Sequence, residues 1–228
     1  MIFRIIFSTL FVIALVACAF GQKDGNPENW CRNGAFPSDT EDFSVGVVSG
    51  KPGQKVHFYN DFEENCPVNE SCREKSYVVP GDKLIVSRTY KNYVCSWYTP
   101  AKGEPTTGWI EAENVKLTPA NSKPLASAWL GNWRYFDNNI ALTGGKSGGK
   151  VTVKGNAFWK GQGDNIHIGE VDDKAVPKGN FLKLGDNATD EFACKVTMIL
   201  VDKFLVVSDN NNCGGANVTF TGVYRRGK

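Results

Sequence analysis

The sequence is short of the residues on which catalysis near neutral pH depends. It contains only two histidines, His57 and His167, the residue type whose ordinary pKa suits a general base near pH 7. His57 falls on the alternate face of a strand pattern, and His167 lies between Ile166 and Ile168, so both are expected to be structural. The chain also lacks a Gly-x-Ser-x-Gly elbow, an HExxH motif and a phosphate-binding glycine loop. These absences predict that the protein is not an enzyme.

Patterns that bind metal ions are scarce as well. The cysteines form no CxxC pair and match no zinc spacing. Asp209 and Asn210–Asn212 offer oxygen atoms, but calcium loops space their ligands alternately and end in a bidentate acid. An acidic cluster is formed by Asp61, Glu63 and Glu64. Hydrolysis of a glycoside would require a cleft that holds two carboxylates at the right separation. A solvated loop is the simpler interpretation. We therefore predict no metal and no cofactor.

A strong excess of charge is missing too. Lys and Arg number 26 against 24 Asp and Glu, which leaves a formal net charge of +2, and the cations form no stripe. Nucleic acid is therefore not an expected partner.

No apolar run is long enough to span a bilayer. The longest, Ile5–Ala17 behind Arg4, has about 13 residues where a transmembrane helix needs about 20. Residues 1–21 are instead typical of a signal peptide. Simple cleavage after Ala19-Phe20-Gly21 is favoured. The alternative is a lipobox, Leu15-Val16-Ala17-Cys18, in which Cys18 is the candidate lipidation site.

Either cleavage predicts export to the periplasm or the medium. With Cys18 acylated, the protein would be an outer-membrane lipoprotein, and that anchor would be its only link to a membrane. 

The remaining six cysteines are an even number, which in an exported protein indicates disulfides. Cys194 and Cys213 stand alone in the second half of the chain, so we expect them to pair across a hairpin and the reversal after it. Three pairings remain for the other four cysteines. The favoured one joins Cys66 to Cys72 and Cys31 to Cys95.

Frequent glycine turns and short alternating runs predict an all-β protein. After the leader, we expect an N-terminal arm over 22–42 and a first domain over 43–118. A linker over 119–127 then leads to a second domain over 128–228. Glycine turns in the second domain separate about eight short strands, enough for a small antiparallel β-barrel held by the Cys194–Cys213 bridge.

The first domain has two short motifs in the order seen in a known family. A Pro80-Gly81-Asp82 turn precedes a strand, and Gly108-Trp109-Ile110 precedes Val115 and Leu117. These motifs resemble the bacterial Src-homology-3-like (SH3-like) domains of exported proteins, from which the loop between Cys66 and Cys72 departs. The resemblance implies an SH3-like barrel with a groove of aromatic residues between loops. Tyr59, Trp97 and Tyr98 are then the candidate ligand-binding residues.

The second domain has a different resemblance. Gly131-Asn132-Trp133 near its start and Arg225 near its end are similar to the GxW motif and closing arginine of lipocalin-like (calycin) barrels. In that family the tryptophan plugs one end of the barrel and the arginine stacks over it. Small exported inhibitors of bacterial proteases and lysozymes use barrels of this general kind.

These features favour a non-enzymatic binding protein of the cell envelope. Its partner would be a cell-wall peptide or glycan, or another envelope protein. The alternative is an inhibitor or immunity protein directed against a peptidoglycan hydrolase or a protease. A hydrolase is the least favoured function, because the catalytic motifs are missing.

Overall fold

The computed structural model describes residues 26–32, 35–38, 40–144, 149–185 and 189–227. The predicted leader, residues 1–21 with Cys18, lies outside this range. Within it, no helix is long and apolar enough to cross a membrane.

The fold is all-β, as predicted. The described residues include four one-turn 3-10 helices, one before the first strand and three between strands: Pro27–Asn29, Glu70–Cys72, Ala112–Asn114 and Ala126–Ala128. The strands are β1 (Ser44–Val48), β2 (Val56–Tyr59), β3 (Arg73–Val78), β4 (Lys83–Tyr90), β5 (Tyr93–Tyr98), β6 (Thr106–Glu111), β7 (Val115–Pro119), β8 (Gly131–Tyr135), β9 (Asn138–Gly144), β10 (Val151–Lys160), β11 (Ile166–Ala175), β12 (Phe181–Leu184), β13 (Val196–Val201), β14 (Phe204–Asp209) and β15 (Gly222–Arg226).

Strands β1 to β7 form one antiparallel sheet in the order β3-β2-β6-β5-β4-β1-β7. Strands β4, β5 and β6 are a meander, and β1 pairs with both β4 and β7. The turn predicted at Pro80-Gly81-Asp82 is present. Gly81 has a φ of 97°, and the Asp82 carboxylate accepts a hydrogen bond of 2.9 Å from the Val79 amide.

Strands β8 to β15 form a nearly closed barrel. Each pairs with its neighbours in sequence except at the gap between β11 and β12, and β15 pairs back onto β8. Its interior is filled by side chains such as Trp133, Met198, Phe220 and Tyr224, all fully buried. The predicted barrel of about eight strands is therefore confirmed.

One end of the barrel is closed by an arginine over a tryptophan, but the arginine is not the predicted one. The Arg226 guanidinium lies 4.9 Å from the ring centroid of Trp133 and also donates to the Ala128 carbonyl. Because side chains alternate along a strand, Arg225 points to the other face of β15. Gly131, at the start of the same motif, has a φ of 134°, a conformation that favours glycine.

The described part of the chain contains three disulfides, with the pairing favoured from the sequence: Cys31–Cys95, Cys66–Cys72 and Cys194–Cys213. The first ties the N-terminal arm to β5, and the third ties the segment before β13 to the loop before β15. Three such bridges are compatible with an oxidising location outside the cytoplasm.

The two sheets share a buried cluster. Trp97 and the arm residue Phe36 belong to it on the side of the first sheet, and Ile199, Val206 and Val223 belong to it from the barrel. These barrel residues alternate with inward-facing neighbours, so the outer face of β13 to β15 is apolar where it meets the first sheet. This contact brings the loop 103–105 of the first sheet beside the tip of the β8–β9 hairpin.

Candidate functional site

The three aromatic residues predicted to bind a ligand do not share one surface. Trp97 is 1% exposed and packs in the cluster between the sheets, so it is a core residue rather than a ligand contact. Tyr59 is also buried in that cluster, where its ring meets Tyr93 edge to face at 5.2 Å. Tyr98 follows Trp97 on β5 and packs against a different cluster.

The phenols of Tyr59 and Tyr98 are held in their neutral form. Burial, assisted by the negative charge of Glu111, raises the pKa of Tyr59 to about 12. Burial and the neighbouring Asp82 carboxylate raise the pKa of Tyr98 as well. Both groups therefore serve as neutral hydrogen-bonding side chains near pH 7.

The two histidines and Asp61 of the acidic cluster make structural contacts, whereas Glu63 and Glu64 are exposed, as expected for a solvated loop. His57 Nδ1 lies 2.9 Å from the Glu74 carbonyl, and His167 Nδ1 contacts the Ala216 carbonyl. The buried Asp61 carboxylate accepts hydrogen bonds of 2.7 Å from the Cys31 amide and 3.0 Å from Arg32 Nε. Across the part of the chain that the structure describes, no three His, Cys, Asp or Glu side chains are placed to hold a metal ion.

Asp209 has a structural role in the Asn-rich reversal. Its carboxylate accepts hydrogen bonds from the Phe220 amide at 2.6 Å, the Thr219 hydroxyl at 2.9 Å and the Asn211 amide at 3.0 Å. The side chain of Asn210 accepts from the Lys195 amide and donates to the Ala193 carbonyl. The oxygens that could have suggested calcium are thus used to fold the loop.

The strongest candidate site is the tip of the β8–β9 hairpin. Tyr135 pairs with Asn138, so the turn has two residues, Phe136 and Asp137. Phe136 has a φ of 48° and is 65% exposed. Glycine, asparagine or aspartate normally takes a position with positive φ in such a turn. Placing a bulky aromatic ring there strains the backbone and also exposes apolar surface, a combination that points to function.

An aromatic cavity of about 340 Å³ lies on one side of Phe136. Phe136, Tyr135, Phe158 and Trp159 supply its rings, and Asn217 and Thr219 are among the polar groups around them. We call this the aromatic cavity. Flat rings among amide and hydroxyl groups can bind an amphipathic ring such as a pyranose.

Asn138 holds the aromatic cavity in shape. Its Oδ1 accepts a 2.9 Å hydrogen bond from the Phe158 amide, and its Nδ2 donates a 2.9 Å bond to the Thr219 carbonyl. One side chain thus joins the hairpin tip to β10 and to the loop before β15. The cavity is therefore organised before any ligand arrives.

A cleft of about 470 Å³ lies on the other side of Phe136, between β8, β15 and the loop 103–105 of the first sheet. Arg134, Arg225 and Arg226 line it together with a single acid, Glu104. We call it the arginine cleft. It therefore carries an excess of positive charge.

Tyr135 lies between the aromatic cavity and the arginine cleft, and its ring is closely packed against other side chains. Its ring lies 6.0 Å from Trp97 and 5.6 Å from Tyr224, measured between centroids. A Cβ at Gly222 would overlap this ring, so glycine is required there. Burial, with a smaller effect of the Glu104 charge, raises the pKa of Tyr135.

A larger hollow, of about 960 Å³, lies near the gap of the barrel. Its lining carries both signs of charge, including Lys150, Lys174, Asp173 and a Lys183–Glu41 ion pair of 2.8 Å. It exposes little aromatic surface, so it has fewer features of a specific site than the hairpin tip.

The sequence contained one signal for the hairpin tip. Phe136 directly precedes Asp137 and Asn138, residue types that favour turns, and an aromatic residue in a short turn is unusual. The arginine cleft gave no such signal, because Arg134 and Arg225 are far apart in the chain.

Comparison with protein-family models, with curated proteins and with solved structures found no match to this chain.

Proposed function

We propose that this chain is an exported, non-enzymatic binding protein of the cell envelope, and that it holds a cell-wall ligand at the tip of the β8–β9 hairpin. The observation that carries the proposal is Phe136, an exposed ring on a strained turn between two cavities. The mature protein is periplasmic or secreted, or is anchored through Cys18 if the lipobox is used. 

The proposed architecture is an SH3-like module followed by a lipocalin-like barrel. Pairing of β1 with both β4 and β7, around the β4–β5–β6 meander, supports the first assignment. The up-and-down order of the eight strands and the Trp133–Arg226 stack support the second. In this arrangement the loop 103–105 of the module completes a site built mainly by the barrel.

The first test uses a substitution that suits the turn and removes the ring. Phe136→Gly should leave thermal stability unchanged or slightly raised, because glycine adopts positive φ without strain. Co-sedimentation of the purified protein with insoluble peptidoglycan should fall by about tenfold or more, since the ring is a central contact. 

Phe192→Gly is the matched control, because Phe192 is 72% exposed and does not line either cavity. It should bind like the wild type. If Phe136→Gly binds peptidoglycan as well as the wild type does, the proposed site is wrong. If the wild type does not bind peptidoglycan, the proposed ligand is wrong.

A second candidate function is inhibition of a peptidoglycan hydrolase or protease. The same hairpin favours it, because a projecting aromatic ring at a rigid tip can enter the cleft of an enzyme. Activity assays on a muramidase and a protease, with excess wild type or Phe136→Gly, test this directly. Inhibition that disappears in the variant would support this function over binding to the wall.

A further inference from the structure

The outer face of the barrel places two arginines side by side. Arg134 on β8 and Arg225 on β15 are directly opposite in the antiparallel register. Side chains at such positions start about 4.5–5.5 Å apart, and like charges there are destabilising. Both arginines are exposed and line the arginine cleft.

No acid of the described chain neutralises this pair. Neither Arg134 nor Arg225 forms an ion pair or a side-chain hydrogen bond with any residue in the described ranges. Other cations of the barrel behave differently: Lys154 pairs with Asp172 at 2.9 Å, and Arg226 contacts the Trp133 ring and donates to the Ala128 carbonyl. The two guanidinium groups are thus a repulsive pair that a bound anion would relieve.

The residues that line the arginine cleft indicate which class of anion would bind there. Guanidinium groups bind carboxylates through paired, nearly planar hydrogen bonds. Glu104 stands on the opposite wall, where it would repel a densely charged anion and could accept a hydrogen bond from a neutral hydroxyl or amide. A single carboxylate flanked by neutral polar groups fits this arrangement.

The aromatic cavity lies within reach of a ligand bound in the arginine cleft, because Tyr135 and Phe136 line both. We propose that the ligand is a carboxylate-bearing glycan, whose carboxylate is held by Arg134 and Arg225 while a sugar ring lies against Phe136 and Phe158. This inference rests on the proposed function, for which it names the substrate class. The carboxylate comes either from an acidic sugar or from a group attached to the glycan.

The test varies the ligand and the protein independently. The probes are insoluble peptidoglycan, the same material with its carboxylates converted to methylamides, and beads coated with polygalacturonate. Wild-type protein should bind the methylamide form about tenfold more weakly than intact peptidoglycan. Binding to polygalacturonate would identify a sugar acid as sufficient, whereas binding to intact peptidoglycan alone would place the carboxylate on an attached group.

The protein variant is Arg134→Gln with Arg225→Gln. This variant should bind intact peptidoglycan about as weakly as the wild type binds the methylamide form. Its binding should also no longer depend on salt concentration between roughly 50 and 500 mM. Its thermal transition should be unchanged or raised, since a repulsive pair is removed. The control is Lys150→Gln with Lys174→Gln, which removes the same charge from the hollow of about 960 Å³ near the gap of the barrel. This control should bind like the wild type.

The outcomes separate the two proposals. If Phe136→Gly loses binding but Arg134→Gln with Arg225→Gln does not, the hairpin tip is the site and the carboxylate inference is wrong. Equal loss in the arginine and lysine double variants would also overturn it, because net charge alone would then explain the effect. If the wild type binds none of the probes, the proposed function itself fails.

Discussion

At the scale of single residues, Arg225 and Arg226 are neighbours in the chain with opposite surroundings. Arg226 lies 4.9 Å from the Trp133 ring at the end of the barrel, while Arg225 lies on the outer face opposite Arg134. The alternation of side chains along β15 produces this difference. Arg226 therefore contributes to stability, and Arg225 is available to a ligand.

We expect Arg226→Gln to lower the free energy of unfolding by about 0.5–1 kcal/mol, the range for an exposed cation–π contact. For a chain of this size, that corresponds to a fall in Tm of about 1–4 °C. Arg225→Gln should leave Tm unchanged or slightly higher. Thermal unfolding followed by circular dichroism checks both, and an equal fall in the two variants would contradict the assignment of Arg226 as the closing residue.

The raised pKa of Tyr59 predicts that the free energy of unfolding falls at alkaline pH. Its pKa is raised to about 12 in the folded protein, first by burial and then by Glu111, against 10.0 for an unperturbed tyrosine. Above pH 10 the unfolded chain loses this proton while the folded chain keeps it. The contribution of Tyr59 to stability is therefore complete below pH 10 and is lost as the pH rises to about 12.

Tyr59→Phe should accordingly flatten the decline in the free energy of unfolding between pH 10 and 12, measured by urea titration at each pH. Tyr77→Phe, a change at an exposed tyrosine outside the shared cluster, is the control. If both variants follow the wild-type curve, the proton on Tyr59 is not linked to folding.

At the scale of elements, two strands begin at residues that the local apolar pattern does not indicate. The first residues of β3, Arg73 to Ser76, are polar and do not look like a strand, yet they pair with β2 at the edge of the sheet. An edge strand with little buried surface needs no apolar alternation. The apolar pattern in this part of the sequence begins only at Tyr77, four residues after the strand itself begins.

The last strand shows the opposite error. Val218 and Phe220 are buried and alternate with polar residues as in a strand, but β15 starts at Gly222. The Phe220 amide donates to Asp209 instead of to a neighbouring strand. Burial of apolar side chains therefore did not require a β ladder, because a carboxylate satisfied the backbone.

The Cys194–Cys213 bridge joins the segment before β13 to the loop that leads into this irregular segment. Replacing both cysteines by alanine should lower the free energy of unfolding by about 2–5 kcal/mol. If the two predicted domains unfolded independently, only the transition of the second would shift. Since Ile199 of β13 packs in the cluster shared by both sheets, we now expect calorimetry to show one transition that moves as a whole. Two transitions, of which only one moves, would show that the shared cluster does not couple the units.

At the scale of the whole molecule, the candidate site is a product of how the two sheets meet. Trp97 packs against Tyr135, and the loop 103–105 forms one wall of the arginine cleft. Neither unit alone encloses that cleft. Binding and the stability of the contact between the sheets are therefore expected to be linked.

The sequence by itself determined the all-β class, the eight strands of the barrel and the Cys194–Cys213 bridge, and it narrowed the other four cysteines to three pairings. These properties follow from local patterns, namely alternation, glycine turns, and the number and spacing of cysteines. Tertiary structure decided which arginine closes the barrel, that Trp97 is buried, and that Arg134 meets Arg225 beside Phe136. Each of these depends on the register with which β15 returns to β8 or on the packing of one sheet against the other, and a shift of one residue would reverse every face.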